Sequence, residues 1–433
     1  MIKKDILKEI LTSNQQSFPK QLVDREVRVP YDANKVVVLK GVRRCGKSSV
    51  MFLLVNDLLA SGVDVSHIVF LNFDDERLPF EPKEFDFILQ AYRELYPNVE
   101  MKNVYFLFDE IQMARGWEQF VRRIYENESK HIYLTGSNAK LLSSEIATSL
   151  RGRTLQYEIF PLSFKEFCQF RNVAINNLHH STQKAKLLKE CETYIFYGGF
   201  PEVVLDDFKY FEKTLQEYYF VMLYRDLLDR YNIKNLPALK YFIRRILSNV
   251  TKKTSINKIY NELKSAGINV GKTSLYEWIE YVEAVYLFLP LPKYNFSPVK
   301  ELSSERKYYC IDNGLQKALS ITPSEDRGNL LENAFFLHLR KGIDFNTNLY
   351  YYKGNKECDF VVCKGTDVIR LIQCSWDISD MDTYKREIDG LLEASETLNC
   401  NDLWIVTADT NDDVEVTGKT VHIRPAYLYF LTE

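Results

Sequence analysis

Between residues 36 and about 161 the chain alternates short, unbroken apolar runs with stretches whose apolar residues return at helical spacing. The runs lie at 36–39, 67–73, 104–108, 131–135 and 155–160. Runs this short, rich in β-branched and aromatic residues and apolar on both faces, are strands buried on both sides of a parallel sheet. Five of them, separated by helical segments, predict a complete α/β domain over residues 1–161. Ahead of the first strand, Ile2, Ile6, Leu7, Ile10 and Leu11 recur at helical spacing, which predicts an amphipathic helix and not a signal peptide.

Beyond Pro161 the texture changes. Residues 162–234 read as helical, a lid or connector, interrupted by a polar stretch at 176–189 and by Tyr197, Gly198, Gly199, Phe200 and Pro201, a turn that redirects the chain. Residues 235–310 hold two helical patterns ending at Val250 and near Ala266. A third starts after Gly271 with Thr273 or Ser274 as N-cap, and two strands follow at 285–291 and 307–311. Three helices and a hairpin predict a winged helix-turn-helix. Residues 311–433 return to α/β: a helix at 330–341, strands at 349–352, 358–363 and 368–374, a helix at 381–394, and strands at 402–408 and near Val421.

Composition adds little to this picture. Apolar residues make up 46% of the 433 and charged residues 27%, the balance of a globular multidomain chain. A formal charge of −3 advertises neither nucleic acid nor an acidic membrane. The cysteines at 45, 168, 191, 310, 358, 363, 374 and 400 form no CxxC pair and fit a reducing cytosol. The longest apolar run, at 285–291, is too short to span a bilayer, so a cytoplasmic location without membrane partner is expected.

Chemistry enters directly after the first strand. Gly41, Val42, Arg43, Arg44, Cys45, Gly46, Lys47 and Ser48 satisfy G-x4-G-K-[ST] and open a helix with Ser49. Glycines let backbone amides curl around phosphates, and the helix start adds its positive dipole end. Lys47 is expected to reach the β- and γ-phosphates of ATP, and Ser48 to hold magnesium. The run at 104–108 ends in Asp109 and Glu110, an acidic strand end of the kind that holds magnesium (Asp109) and polarises a water as general base (Glu110). The run at 131–135 ends in Gly136, Ser137 and Asn138; either polar side chain is placed to contact a γ-phosphate or to cap the next helix. Arg151 and Arg153 precede the fifth strand, where an arginine serves either as a surface ion pair or as a finger for a neighbouring subunit.

Together these residues resemble a family of prokaryotic AAA-type ATPases with a helical middle region and a nuclease-like C-terminal domain. The likeness rests on the paired arginines within 41–48, on Phe108 to Gln112, on 134–138, on Leu150, Arg151, Gly152 and Arg153, on 160–167, on 197–201 and on 309–314. It implies that Arg153 is the finger, acting in trans in a homo-oligomer. It also implies that the last domain is similar to the PD-(D/E)XK nucleases, with Glu332, Asp359 and a third element, Gln373–Ser375, at the metal-binding positions. Gln373 brings no charge, and Ser375 stands where a catalytic lysine is expected, so a fold retained for binding is favoured over cleavage. Lys353 or Lys356 would be the lysine arriving from another strand. In the winged helix, Glu277, Glu280 and Glu283 line the third helix and repel phosphates. The hairpin with Lys293, Lys300 and Arg306 suits DNA better, and packing between domains is the alternative.

The function expected is an ATPase whose nucleotide cycle controls a DNA-associated or partner-binding C-terminal half. The alternatives are an ATP-gated, metal-dependent DNA nuclease and a non-hydrolysing nucleotide switch. No transporter signature and no small-molecule kinase lid accompany the phosphate loop.

Overall fold

Strands β1 (Val36–Lys40), β2 (Ile68–Asn72), β3 (Tyr105–Asp109), β4 (Ile132–Gly136) and β5 (Thr154–Glu158) form one parallel sheet in the computed structural model. It describes residues 4–137, 150, 152–178, 180–297, 299, 301, 304–320 and 326–432. The strand order is β2-β3-β4-β1-β5. Insertion of β4 between β1 and β3 brings the C-terminal ends of these three strands side by side, which is where a doubly wound sheet takes its ligands. The central strands are buried along nearly their whole length, as unbroken apolar runs require, whereas β5, at the edge, is half-buried.

The opposite edge is closed by the N-terminal helix Lys4–Gln16, which buries Leu7, Ile10 and Leu11. Its Asn14 amide donates to the Phe70 carbonyl (3.0 Å) and its Gln15 amide to the Ile68 carbonyl (2.9 Å). Two outward-facing carbonyls of β2 are thereby satisfied, and the edge is blunted against pairing with another chain. Helix Trp117–Asn127 buries Trp117, Phe120, Val121, Ile124 and Tyr125, the stripe that the 3.6-residue period demands.

Residues 1–160 form one compact unit and 161–433 a second. The second begins with helix Phe164–Phe170, opened by a capping box between Ser163 and Glu166. Helix Ser181–Tyr197 follows, so the polar interruption read at 176–189 is shorter than its composition indicated. Helix Phe211–Val221 runs on into a π-helical turn, Met222–Asp229. The turn at 197–201 meets the segment after β8 (Arg306–Cys310): a side chain on Gly314 would overlap the Tyr197 carbonyl, and the Asp312 carboxylate accepts from the Gly199 amide (2.6 Å). Two segments far apart in sequence are thus one interlocked corner.

Helices Leu236–Leu247, Ile256–Ser265 and Lys272–Ala284 pack with a three-stranded antiparallel sheet ordered β6 (Lys253–Thr254), β8, β7 (Phe288–Leu291). The third helix is capped by Gly271 and not by Thr273 or Ser274. Pro290 lies in β7, the edge strand of this sheet, so its missing amide breaks no ladder. The last sheet has the order β13-β14-β12-β11-β10-β9. Strands β9 (Thr347–Lys353), β10 (Glu357–Lys364) and β11 (Asp367–Cys374) are antiparallel; β11, β12 (Leu403–Thr407) and β14 (Lys419–Pro425) are parallel. Helices Arg327–Lys341 and Met381–Leu398 accompany it, and β13 (Asp412–Val416) and helix Ala426–Thr432 are elements the apolar pattern did not disclose.

Candidate nucleotide site and a second charged cluster

The segment 41–46 leaves β1 and turns into helix Lys47–Ala60, whose N-cap, Gly46, stands at φ 97° and offers no side-chain cap. The N-cap thus gives no side-chain acceptor to the first turn of a 14-residue helix, the arrangement that receives an anion. Gly41 has no alternative: a side chain there would overlap the Ile159 carbonyl at the end of β5. Cys45 turns inward, its thiol donating to the same Ile159 carbonyl (3.1 Å), and burial pushes its pKa up. Arg25, only 5% exposed, donates to the Cys45 carbonyl (2.8 Å) and the Phe160 carbonyl (2.9 Å), bracing the loop from behind.

Lys47 is buried under the loop, its Nζ donating to the carbonyls of Gly41 (3.1 Å) and Val42 (3.0 Å) and lying 3.8 Å from Glu110 Oε1. Ser48 Oγ donates to Asp109 Oδ2 (2.7 Å), so hydroxyl and carboxylate already share one place; Ser49 continues the helix. Thr135, fully buried on β4, donates to Asp109 Oδ1 and accepts from the Glu110 amide (2.9 Å). Burial pushes the Asp109 carboxyl up, against the pull of the Thr135 and Ser48 hydroxyls.

Glu110 stands in the left-handed region at φ 50°, an uncommon conformation for a residue with a side chain. Burial works to raise its pKa, but the charges of Lys47 and Arg43 outweigh it and hold the carboxyl below its usual range. Gln112 Nε2 donates to Glu110 Oε2 (2.5 Å) and reaches Ser137 Oγ (3.4 Å). Ser137 is therefore in the cluster, while Asn138 and Arg151 lie outside the described residues. Arg44, at φ 65°, lies in the loop. Arg153 lies elsewhere: it precedes β5, at the end of the sheet opposite the loop, with its guanidinium 3.0 Å from Glu126 Oε1 and over the Tyr125 ring. The motifs at 108–112 and 134–138 include Gln112 and Thr135 but give neither a role, and nothing local distinguishes Arg25.

In the second unit, Glu332, Asp359 and Gln373 do come together, around a residue the pattern did not single out. Lys307 of β8, 2% exposed, has its Nζ 2.9 Å from Glu357 Oε1, 3.2 Å from Asp359 Oδ1 and 3.3 Å from Glu332 Oε1. Tyr309 OH donates to the same Glu332 oxygen (2.8 Å), and the Cys374 amide donates to Asp359 Oδ2 (3.1 Å). Burial and the Asp359 charge push the Glu332 carboxyl well up. Burial opposes the Lys307 ammonium, but its acidic neighbours hold its pKa well above the usual lysine value. Gln373 commits both ends of its amide to β10: Oε1 accepts from the Asp359 amide (2.7 Å) and Nε2 donates to the Glu357 carbonyl (3.0 Å). Ser375 Oγ donates to the Asp377 carbonyl (3.0 Å). Of the two lysines expected to substitute for it, Lys353 pairs with Glu357 Oε2 (3.5 Å) and Lys356 with Asp389 (3.6 Å); the ammonium between Glu332 and Asp359 belongs to Lys307.

No helix among the described residues is long and apolar enough to cross a membrane. Residues 33–168 match the model of an AAA domain, and 188–326 match a domain of unknown function, DUF8612. The uncharacterized protein MJ1544 of Methanocaldococcus jannaschii is 35% identical over 443 residues, spanning 99% of this chain and 96% of its own. An uncharacterized protein of Haemophilus influenzae is 31% identical over 388 residues, spanning 89% of this chain and 92% of its own. Among solved structures, the Walker-type ATPase PABY2304 of Pyrococcus abyssi aligns over 74% of this chain and 96% of its own at 14% identity and a TM-score of 0.41, too distant to carry an argument. With its phosphate loop, its acidic strand end and a full-length match to MJ1544, the chain belongs to the family of AAA-domain, P-loop proteins that includes MJ1544.

Proposed function

We propose that the first unit binds and hydrolyses ATP with magnesium, and that this cycle governs a DNA-associated or partner-binding second unit. The observation that carries the reading is the meeting of Lys47, Ser48, Asp109 and Glu110 beyond the C-terminal ends of β1 and β3, which flank β4, with Ser48 Oγ 2.7 Å from Asp109 Oδ2. A hydroxyl and a carboxylate side by side are the donor set for a hard divalent cation, and the residues fit it. Ser48 and Asp109 would hold the magnesium, which when bound supplies positive charge to the phosphates.

The remaining roles fall to the chain's own groups. Gly41 to Gly46 present amides to the phosphates, with Arg43 and Arg44 adding charge, and Lys47 exchanges its two carbonyl partners for phosphate oxygens. Glu110, kept as a carboxylate by Lys47 and Arg43, accepts a proton from the attacking water, and Gln112 fixes its orientation. Ser137 or Asn138 contacts the terminal phosphate. Arg153, at the far end of the sheet, serves the site of a neighbouring copy. The helices and hairpin of 235–310 read as a winged helix, and the order of β9 to β12 with helix Arg327–Lys341 reads as a nuclease-like core.

Purified Lys47→Ala protein is expected to lose ATP turnover, and Glu110→Gln to retain ATP binding while turning over about 10²–10⁴-fold more slowly. Hydrolysis at the wild-type rate by Lys47→Ala protein removes the assignment.

A further inference from the structure

The likeness to PD-(D/E)XK nucleases implies a magnesium ion between Glu332, Asp359 and the third element, and the residues present do not fit one. An ammonium has three donors and no acceptor. Lys307 meets one oxygen from each of three carboxylates, at 2.9, 3.2 and 3.3 Å, so its donors match the cluster one for one. A magnesium ion would need oxygens at about 2.0–2.1 Å around that same point, in near-octahedral geometry. Three further oxygens are engaged as well: Asp359 Oδ2 by the Cys374 amide, Gln373 Oε1 by the Asp359 amide, and Glu357 Oε2 by Lys353 at 3.5 Å. Lys307 is 2% exposed, and its Nζ lies 5.5 Å from the centre of the Tyr351 ring, so a cation entering the cluster would have to share a buried position with it.

We propose that the Lys307 ammonium is the resident cation of the Glu332–Glu357–Asp359 cluster, so that this sheet takes no divalent metal and the cluster is an ion lock. The lock joins three separate elements: the β7–β8 hairpin through Lys307, helix Arg327–Lys341 through Glu332, and β10 through Glu357 and Asp359. Tyr309, two residues along β8, adds a second tie from the same strand to Glu332. Metal-dependent cutting at this cluster is then ruled out. This inference is independent of ATP hydrolysis in the first unit.

The test titrates manganese chloride into the full chain without nucleotide and reads bound Mn2+ by electron paramagnetic resonance. Wild type is expected to show no Mn2+ site that Asp359→Asn removes. Lys307→Met, which keeps the stem and deletes the charge, is expected to gain one site per chain at least tenfold tighter than any in wild type. Lys307→Met combined with Asp359→Asn is expected to lose it. A wild-type Mn2+ site abolished by Asp359→Asn, or metal-dependent plasmid cutting abolished by the same substitution, overturns the proposal. So does a folded Lys307→Met protein that gains nothing. Should Lys307→Met fail to fold, the comparison of wild type with Asp359→Asn and Glu332→Gln decides alone.

Discussion

Thr135 shows how much of the first site rests on one hydroxyl. It donates to Asp109 and accepts from the Glu110 amide, so both acids of the β3 end are set by one β4 side chain. Thr135→Val keeps the shape and strands a buried carboxylate oxygen, at about 1–3 kcal/mol, together with a half-buried amide. A melting temperature lower by several degrees and ATP turnover reduced at least about tenfold are expected, with Thr135→Ser restoring both. Full turnover in Thr135→Val protein would show that the hydroxyl positions nothing. The phosphate loop and the Asp109–Glu110 pair were legible in the sequence because phosphate recognition uses consecutive residues and a short strand. Lys307 was not, because it pairs with Asp359 across 52 positions and looks, in its own strand, like any lysine. The same distance in sequence misdirected attention to Lys353 and Lys356, which are local to β9 and β10.

At the scale of the element, helix Arg327–Lys341 carries a titratable group with no role in either site. His338 packs against Phe335, Tyr429 and Phe430, and burial, with the charge of Lys341 adding to it, depresses its pKa to about 4. Its unfolded value is 6.5, so between these two the unfolded chain binds more protons. The stability this neutral ring contributes is present above pH 6.5 and is lost as pH falls toward 4. Urea unfolding at pH 7 and pH 5 is expected to show a loss smaller by about 2 kcal/mol in His338→Phe than in wild type. Identical pH dependence in the two proteins refutes it. The strands of the first sheet were visible as apolar runs because they are buried on both faces. β13 was not, because its inward face carries only Val414 and Val416, both half-buried, among Asp412, Asp413 and Glu415, too short an apolar pattern to announce an edge strand. Helix Ala426–Thr432 escaped for the opposite reason: it is so largely buried that no period shows.

For the molecule as a whole, the sheet order decides where an arginine finger can act. Arg153 precedes β5 while the phosphate loop follows its parallel neighbour β1, so a strand's length, about 15 Å, separates them in one chain. Its surface ion pair with Glu126 is of the kind worth about 0–1 kcal/mol and is readily given up to a second copy. Arg153→Ala and Glu110→Gln proteins, each nearly inactive, are therefore expected to restore activity when mixed. Random assembly makes about one interface in four whole, hence about a quarter of the wild-type rate. A mixture no more active than its components removes the finger from Arg153. Within one chain, the brace behind the loop has a mechanical consequence. Cys45 and Arg25 tether the loop to Ile159 and Phe160, and Phe160 is the last residue before the chain leaves the first unit. Any shift of backbone that accompanies loading or emptying of the loop must pull on that outgoing peptide, so the bracket and the exit strap move as one lever.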